Sequence, residues 1–212
     1  MIVGIVGLGR MGAAMSQRLR EQGFEVVGWD QNAETNKNLA ARGLRIAANA
    51  RDVAGASEIV ISSITEDNGA RRIFNGPEGL LQGEVKGKLF IEMSTLQPMT
   101  GRELAPLVEA KAARLIESPV LGTIPQVRAG TLFAMAGGAA EDVTRARPVL
   151  EKLTRRILHM GPHGSGYAMK LAANIGLGAY VQAIAESLAL GAKQGLALDQ
   201  MIDALSESAT AC

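Results

Sequence analysis

Gly7-Leu8-Gly9-Arg10-Met11-Gly12 sets three glycines at the spacing of a phosphate-cradling turn. The first glycine of such a run makes the tight turn, the second lets a pyrophosphate approach the backbone, and the third lets helix and strand pack closely. An anion would then meet the unpaired N–H groups of a helix start. Asp30 stands 23 residues after Gly7, at the end of the next apolar run. A carboxylate there accepts hydrogen bonds from the ribose hydroxyls of NAD and repels the 2′-phosphate of NADP. Neither Gln31 nor Asn32 supplies a compensating cation, so NAD is the expected cofactor, with NADP the alternative. Read blandly, the same residues are a glycine-rich turn and a solvated aspartate.

A second constellation lies far along the chain. Lys170 and Asn174, four residues apart, would differ by about 40° around a helix axis and project from one face. The stretch after Lys170 is nearly free of charge, so the amine sits where a buried face begins. Desolvation lowers a lysine's pKa, and with a carboxamide beside it the amine could orient and protonate a substrate oxygen. On the residues alone, a surface lysine and a helix-packing asparagine carry more weight. Ser63 to Asp67 (with Ile64 and Thr65), Ser94-Thr95 and Ser118-Pro119 each follow the carboxyl end of an expected strand. Ligands bind at that edge in open α/β sheets, although each segment also reads as an ordinary helix cap.

The elements that must position these groups follow from periodicity. Strands are expected at Ile2 to Val6, Glu25 to Trp29, around Ile46, Glu58 to Ser62, Lys88 to Glu92 and Arg114 to Glu117. Helices are expected between them at Met11 to Gln22, Glu34 to Arg42, Glu66 to Phe74 and Met99 to Lys111. This alternation demands crossovers, hence an α/β, Rossmann-type doubly wound parallel sheet. Beyond a Gly- and Pro-rich loop come a strand at Thr131 to Met135, a Gly137-Gly138 turn, a helix at Glu141 to Leu153 and a strand near Arg156 to His159. A hinge at Gly161 to Gly166 leads into a long helix ending near Gln194, and Asp199 is expected to cap one more. The division is residues 1–165 for cofactor binding and 166–212 for the long helix and the start of an all-α domain.

Composition narrows the class. Among 212 residues, 47% are hydrophobic and 3% aromatic, which excludes a disordered chain and implies a core of Ala, Val, Ile and Leu. With 22 basic and 21 acidic residues, no global field draws the chain to nucleic acid or an anionic membrane. Cys212 is the single cysteine, and His159 and His163 are the only histidines, so neither a disulfide framework nor a metal site is expected. The histidines read as loop residues, and Lys37, Arg42 and Arg45 as a solvated face. Met1 to Leu8 reads as a strand rather than a leader, and the 15 residues Leu171 to Ala185 are short for a bilayer, so a cytoplasmic protein without a membrane partner is expected.

Taken together, the motifs resemble the β-hydroxyacid dehydrogenase family, which includes 3-hydroxyisobutyrate dehydrogenases and tartronate, glyoxylate and succinic semialdehyde reductases. Four ordered segments carry the resemblance, which runs from Ile2 to the end. Gly7 to Met15 is similar to the cofactor fingerprint. Met93-Ser94-Thr95-Leu96-Gln97-Pro98 resembles the segment whose threonine lies by the nicotinamide. Ser118-Pro119-Val120-Leu121-Gly122-Thr123, running on to Gly130-Thr131-Leu132, resembles the substrate-carboxylate loop. Gly164 to Lys170, with Asn174, resembles the catalytic motif.

The resemblance implies hydride transfer between a nicotinamide and the hydroxyl-bearing carbon of a small hydroxy acid. Lys170 would be the general acid or base, Asn174 would hold the substrate, and the N–H groups of Gly122 and Thr123 would bind its carboxylate. Gly7, Leu8, Gly9, Arg10, Met11, Gly12, Asp30, Ile64, Thr65 and Thr95 would hold the cofactor. Leu121 departs from the serine of many relatives. The 47 residues from 166 onward fall below the roughly 70 that a helical core needs, so the long helix is expected to meet something, including a second copy in a homo-oligomer. An imine reductase, which usually lacks the lysine, and a dinucleotide-binding module without turnover are the competing readings.

Overall fold

The computed structural model describes residues 1–207; Cys212 lies outside them. Strands β1 (Ile2–Val6), β2 (Glu25–Trp29), β3 (Arg45–Ile46), β4 (Ile59–Ser62), β5 (Leu89–Glu92) and β6 (Arg114–Glu117) form a parallel sheet in the order β3-β2-β1-β4-β5-β6. Helices α1 (Arg10–Glu21), α2 (Ala33–Ala40), α3 (Ala50–Ala56), α4 (Asp67–Asn75) and α5 (Pro98–Glu109) make the crossovers. The doubly wound reading holds for this half. Beyond β6 the sheet is mixed: β7 (Val120–Leu121) and β8 (Leu132–Gly137) pair antiparallel, and β9 (Thr154–Gly161) returns parallel to β8. Between them lie α6 (Ile124–Ala129) and α7 (Ala140–Leu153).

Strand alternation sorts the core onto two faces. Ile59 and Ile61 of β4, Leu89 and Ile91 of β5, and Ile116 of β6 join one apolar cluster; Val60, Phe90 and Leu115 join the other. Both faces are covered, which explains why these strands read as continuous apolar runs. Helix α1 buries Gly12, Met15, Ser16 and Leu19, an i, i+3, i+4, i+7 stripe against the first cluster. Tyr167 packs into the second.

Helix α8 (Ser165–Lys193) begins within the first compact unit, Met1–Lys170, and continues into the second, which starts at Leu171. Within the second unit, α8 turns at Gly195 into α9 (Leu198–Ser206), and Met201 packs closely over Gly191. Ala197, not Asp199, is the N-cap of α9; Asp199 sits in the first turn, where an acid suits the helix dipole. By length and composition α8 suffices to cross a membrane, with an 18-residue window of mean hydropathy 1.3.

Candidate functional site

The strand order reverses direction of winding between β1 and β4, so the loops after these two strands open a crevice at the switch point. The glycine loop leaves β1 with Gly7 at φ +88°, and a Cβ there would sit 2.2 Å from the Ser63 carbonyl oxygen in the loop after β4. A Cβ on Gly12 would lie 1.9 Å from the Gly7 carbonyl oxygen, so this glycine brings α1 onto β1. A Cβ on Gly9 would meet nothing within 4 Å, which leaves open space at the helix start. The three positions thus divide into two packing glycines and one facing a void, the arrangement a pyrophosphate needs.

Asp30 is held rigidly. Its Oδ2 accepts the Leu8 N–H at 2.7 Å and its Oδ1 accepts the Asn32 N–H at 2.8 Å. Gly7, Gly9, Trp29, Asp30, Ile64 and Thr65 help line one cleft of about 430 Å³, and Arg72 and Glu78 line it too. Arg72 is already paired with Glu66 at 3.3 Å.

Other residues expected at the cofactor take different places. The side chain of Leu8 is buried against Gly28, and Met11 packs on the first core cluster, so these two offer backbone only. Arg10 lines another hollow, of about 890 Å³, between α1 and the α2–β3 region, together with Arg42 and Arg45. That hollow is the larger one, but it contains neither Gly7 nor Asp30 and so is not the crevice of the switch point. Thr95 is exposed and lies outside the cleft lining; its neighbour Ser94 is buried and accepts the Ile64 N–H at 2.6 Å.

On the substrate side, Gly122 has φ +120° and Thr123 caps α6. The Thr123 N–H and hydroxyl both donate to Gln126 Oε1, at 2.9 and 3.0 Å, at the start of α6. Leu121 is partly exposed. Lys170 is half-buried, and desolvation lowers its pKa from the ordinary 10.5. Asn174, one turn further along α8, is exposed and belongs to the second unit. His159 lies in β9 with Nε2 2.8 Å from the Gly138 carbonyl oxygen, and His163 sits in the turn before α8. No cluster of His, Cys, Asp and Glu able to hold a metal occurs among the described residues.

Periodicity alone did not single out Glu92 and Glu117, which end β5 and β6 fully buried. Glu92 accepts hydrogen bonds from Ser62 Oγ, Ser94 Oγ and N–H, and the Tyr167 hydroxyl. Burial outweighs these donors and pushes its pKa up to about 7. Glu117 accepts the Gly166 N–H at 2.9 Å.

A glycine turn at the switch point and a carboxylate fixed beside it define a Rossmann-type dinucleotide-binding domain. Residues 2–161 match the NAD binding domain of 6-phosphogluconate dehydrogenase, and residues 164–212 match the NAD-binding domain of NADP-dependent 3-hydroxyisobutyrate dehydrogenase. A 3-hydroxyisobutyrate dehydrogenase of Pseudomonas aeruginosa is 38% identical over 195 residues, 92% of this chain and 65% of that protein. The 2-(hydroxymethyl)glutarate dehydrogenase of Eubacterium barkeri is 31% identical over 206 residues, 97% of this chain and 68% of that one. The solved 3-hydroxyisobutyrate dehydrogenase of Mycobacterium tuberculosis, with L-serine, superposes with a TM-score of 0.88 at 31% identity, over 100% of this chain and 72% of that one. The chain belongs to the β-hydroxyacid dehydrogenase family. It spans 65% of the length of the first curated relatives it matches.

Proposed function

We propose that this chain is an NAD-dependent oxidoreductase acting on a small β-hydroxy acid and its semialdehyde or oxo-acid counterpart. The observation that carries the reading is Lys170, half-buried with its pKa lowered by desolvation, in a chain that also presents the glycine crevice. A lowered pKa brings the amine nearer to neutral pH, where a group can both take and return a proton. Lys170 takes the hydroxyl proton in oxidation and gives it back in carbonyl reduction. Asn174 orients the reacting oxygen or the carboxylate. The N–H groups of Gly122 and Thr123 hold the carboxylate, the latter exchanging its bond to Gln126 for it, and Leu121 sets an apolar boundary for the substrate.

Gly7, Gly9 and the α1 start would hold the pyrophosphate, Asp30 the ribose, and Ile64, Thr65 and Thr95 the nicotinamide half. When bound, that nicotinamide supplies or accepts the hydride. NAD is favoured over NADP because Asp30 is tied to two backbone N–H groups and cannot swing clear of a 2′-phosphate. Two such charges about 4 Å apart repel by about 4 kcal/mol at an effective dielectric of 20. In this reading 1–165 is the cofactor domain and 166–212 the helical part, which carries the lysine. The apolar, exposed Ile175, Leu177 and Val181 support self-association through α8. The test is loss of NADH absorbance with a panel of glyoxylate, tartronate semialdehyde and succinic semialdehyde. Turnover of one of them is expected; tight NADH binding with turnover of none would favour a binding module.

A further inference from the structure

Three strand ends come into register on one face of the sheet. Ser62 of β4 lies beside Glu92 of β5, and Glu92 beside Glu117 of β6. Each continues the alternation that sends Val60, Phe90 and Leu115 to the second core cluster, the face on which Tyr167 is buried. The carboxylates therefore end the strands facing the first turn of α8. Tyr167 donates to Glu92 Oε2 at 2.5 Å, and the Gly166 N–H donates to Glu117 Oε1 at 2.9 Å.

The space around this junction is reserved by glycines on three elements. A Cβ on Gly101 of α5 would stand 2.6 Å from Glu117 Oε2 and 2.9 Å from the Tyr167 ring; one on Gly137 of β8 would stand 2.3 Å from Glu117 Oε1. One on Gly166 would stand 2.4 Å from the Met135 carbonyl oxygen. Glu92 is also joined to the cofactor crevice: Ser94 Oγ donates to it and accepts the N–H of Ile64, a residue of the cleft wall.

We propose that Tyr167 and Glu92 form a positioning clamp for Lys170, supported by Glu117 on the Gly166 N–H, which fixes the first turn of α8 against the strand ends that also shape the cofactor cleft. Lys170 lies three residues beyond Tyr167, less than one helical turn, so the hydroxyl bond that anchors the tyrosine limits how far the amine can drift. Isolated burial of a carboxylate is costly, and four donors to Glu92 from three segments of chain amount to a built socket rather than an incidental contact. The inference rests on Lys170 being the proton-transfer group.

The test is Tyr167→Phe in the full chain, which deletes one hydroxyl and keeps the ring. Misplacement of the amine should lower kcat roughly tenfold or more, while NADH affinity, read by fluorescence, stays within about twofold and KM changes less than kcat. Glu92→Gln is the conservative partner: its amide oxygen can accept the Tyr167 hydroxyl while its NH₂ donates to Ser62 and Ser94 Oγ, so kcat should stay within about threefold of the parent. An unchanged kcat in Tyr167→Phe, or a parallel loss of NADH affinity, would overturn the proposal. Should the parent chain turn over no hydroxy acid, the functional reading fails on its own. Hydrogen exchange of residues 164–170 then decides the clamp: faster exchange confined to that turn in Tyr167→Phe supports it, and unchanged exchange overturns it.

Discussion

Asp30 Oδ2 accepts a 2.7 Å hydrogen bond from the N–H of Leu8, which ties the carboxylate at the end of β2 to the glycine turn after β1. Position at a strand end suggested a recognition role for Asp30; the bond adds that the same side chain shapes the loop it serves. Asp30→Ala should therefore cost NAD affinity through the ribose and through the loop together. We expect NADH binding to weaken by about tenfold or more, corresponding to about 1.4 kcal/mol, while NADPH binding weakens less or improves. Paired titrations with both cofactors check this; equal losses for both would remove Asp30 from the selection.

Gly12 and Gly9 should separate packing from binding. In Gly12→Ala the new methyl would press on the Gly7 carbonyl oxygen at 1.9 Å, a backbone atom that cannot rotate away, and overpacking of this kind costs about 1–3 kcal/mol. A lower Tm is expected, with NADH binding impaired. In Gly9→Ala the methyl enters open space, so Tm should stay within a degree or two of the parent, while NADH affinity falls because the pyrophosphate approach is blocked. Thermal melts with and without NADH distinguish the two.

Glu92 predicts a pH dependence of stability. Burial raises its folded-state pKa from 4.5 to about 7, so the native state holds the proton more tightly than the unfolded chain. Its contribution is fully present below about 4.5 and is lost as pH rises toward 7, a change on the order of 3 kcal/mol. Glu92→Gln removes the titration, and the difference between variant and parent unfolding free energies should shift in the variant's favour across that window. Denaturant unfolding at a series of pH values measures it; a constant difference would contradict it.

Much of the sheet was legible because buried parallel strands are unbroken apolar runs bounded by glycine or polar caps. β2 and β6 fall at Glu25–Trp29 and Arg114–Glu117, where periodicity put them. Helix α3 is not legible in the sequence because Ala-Arg-Asp-Val-Ala-Gly-Ala lacks a clear apolar stripe, although Asn49, whose side chain accepts the Asp52 N–H, marks its start. Helix α6 hid in a Gly- and Pro-rich stretch, yet Thr123 with Gln126 three residues on, and Gly130 at φ +70°, were the signals of its two ends. β7 is only two residues long, set by pairing with β8 rather than by its own pattern. The Glu92 and Glu117 sockets were illegible for a different reason: a carboxylate closing a strand reads the same whether water or Tyr167 faces it.

The most direct test of the central claim is Lys170→Ala, assayed by loss of NADH absorbance with the best substrate of the semialdehyde and oxo-acid panel and by NADH fluorescence titration. Removing a general acid–base group costs about 10²- to 10⁴-fold in turnover. A loss of that size is expected with NADH affinity within about twofold of the parent, since the crevice at Gly7, Gly9 and Asp30 is formed without the lysine. Turnover retained within a few-fold would contradict it.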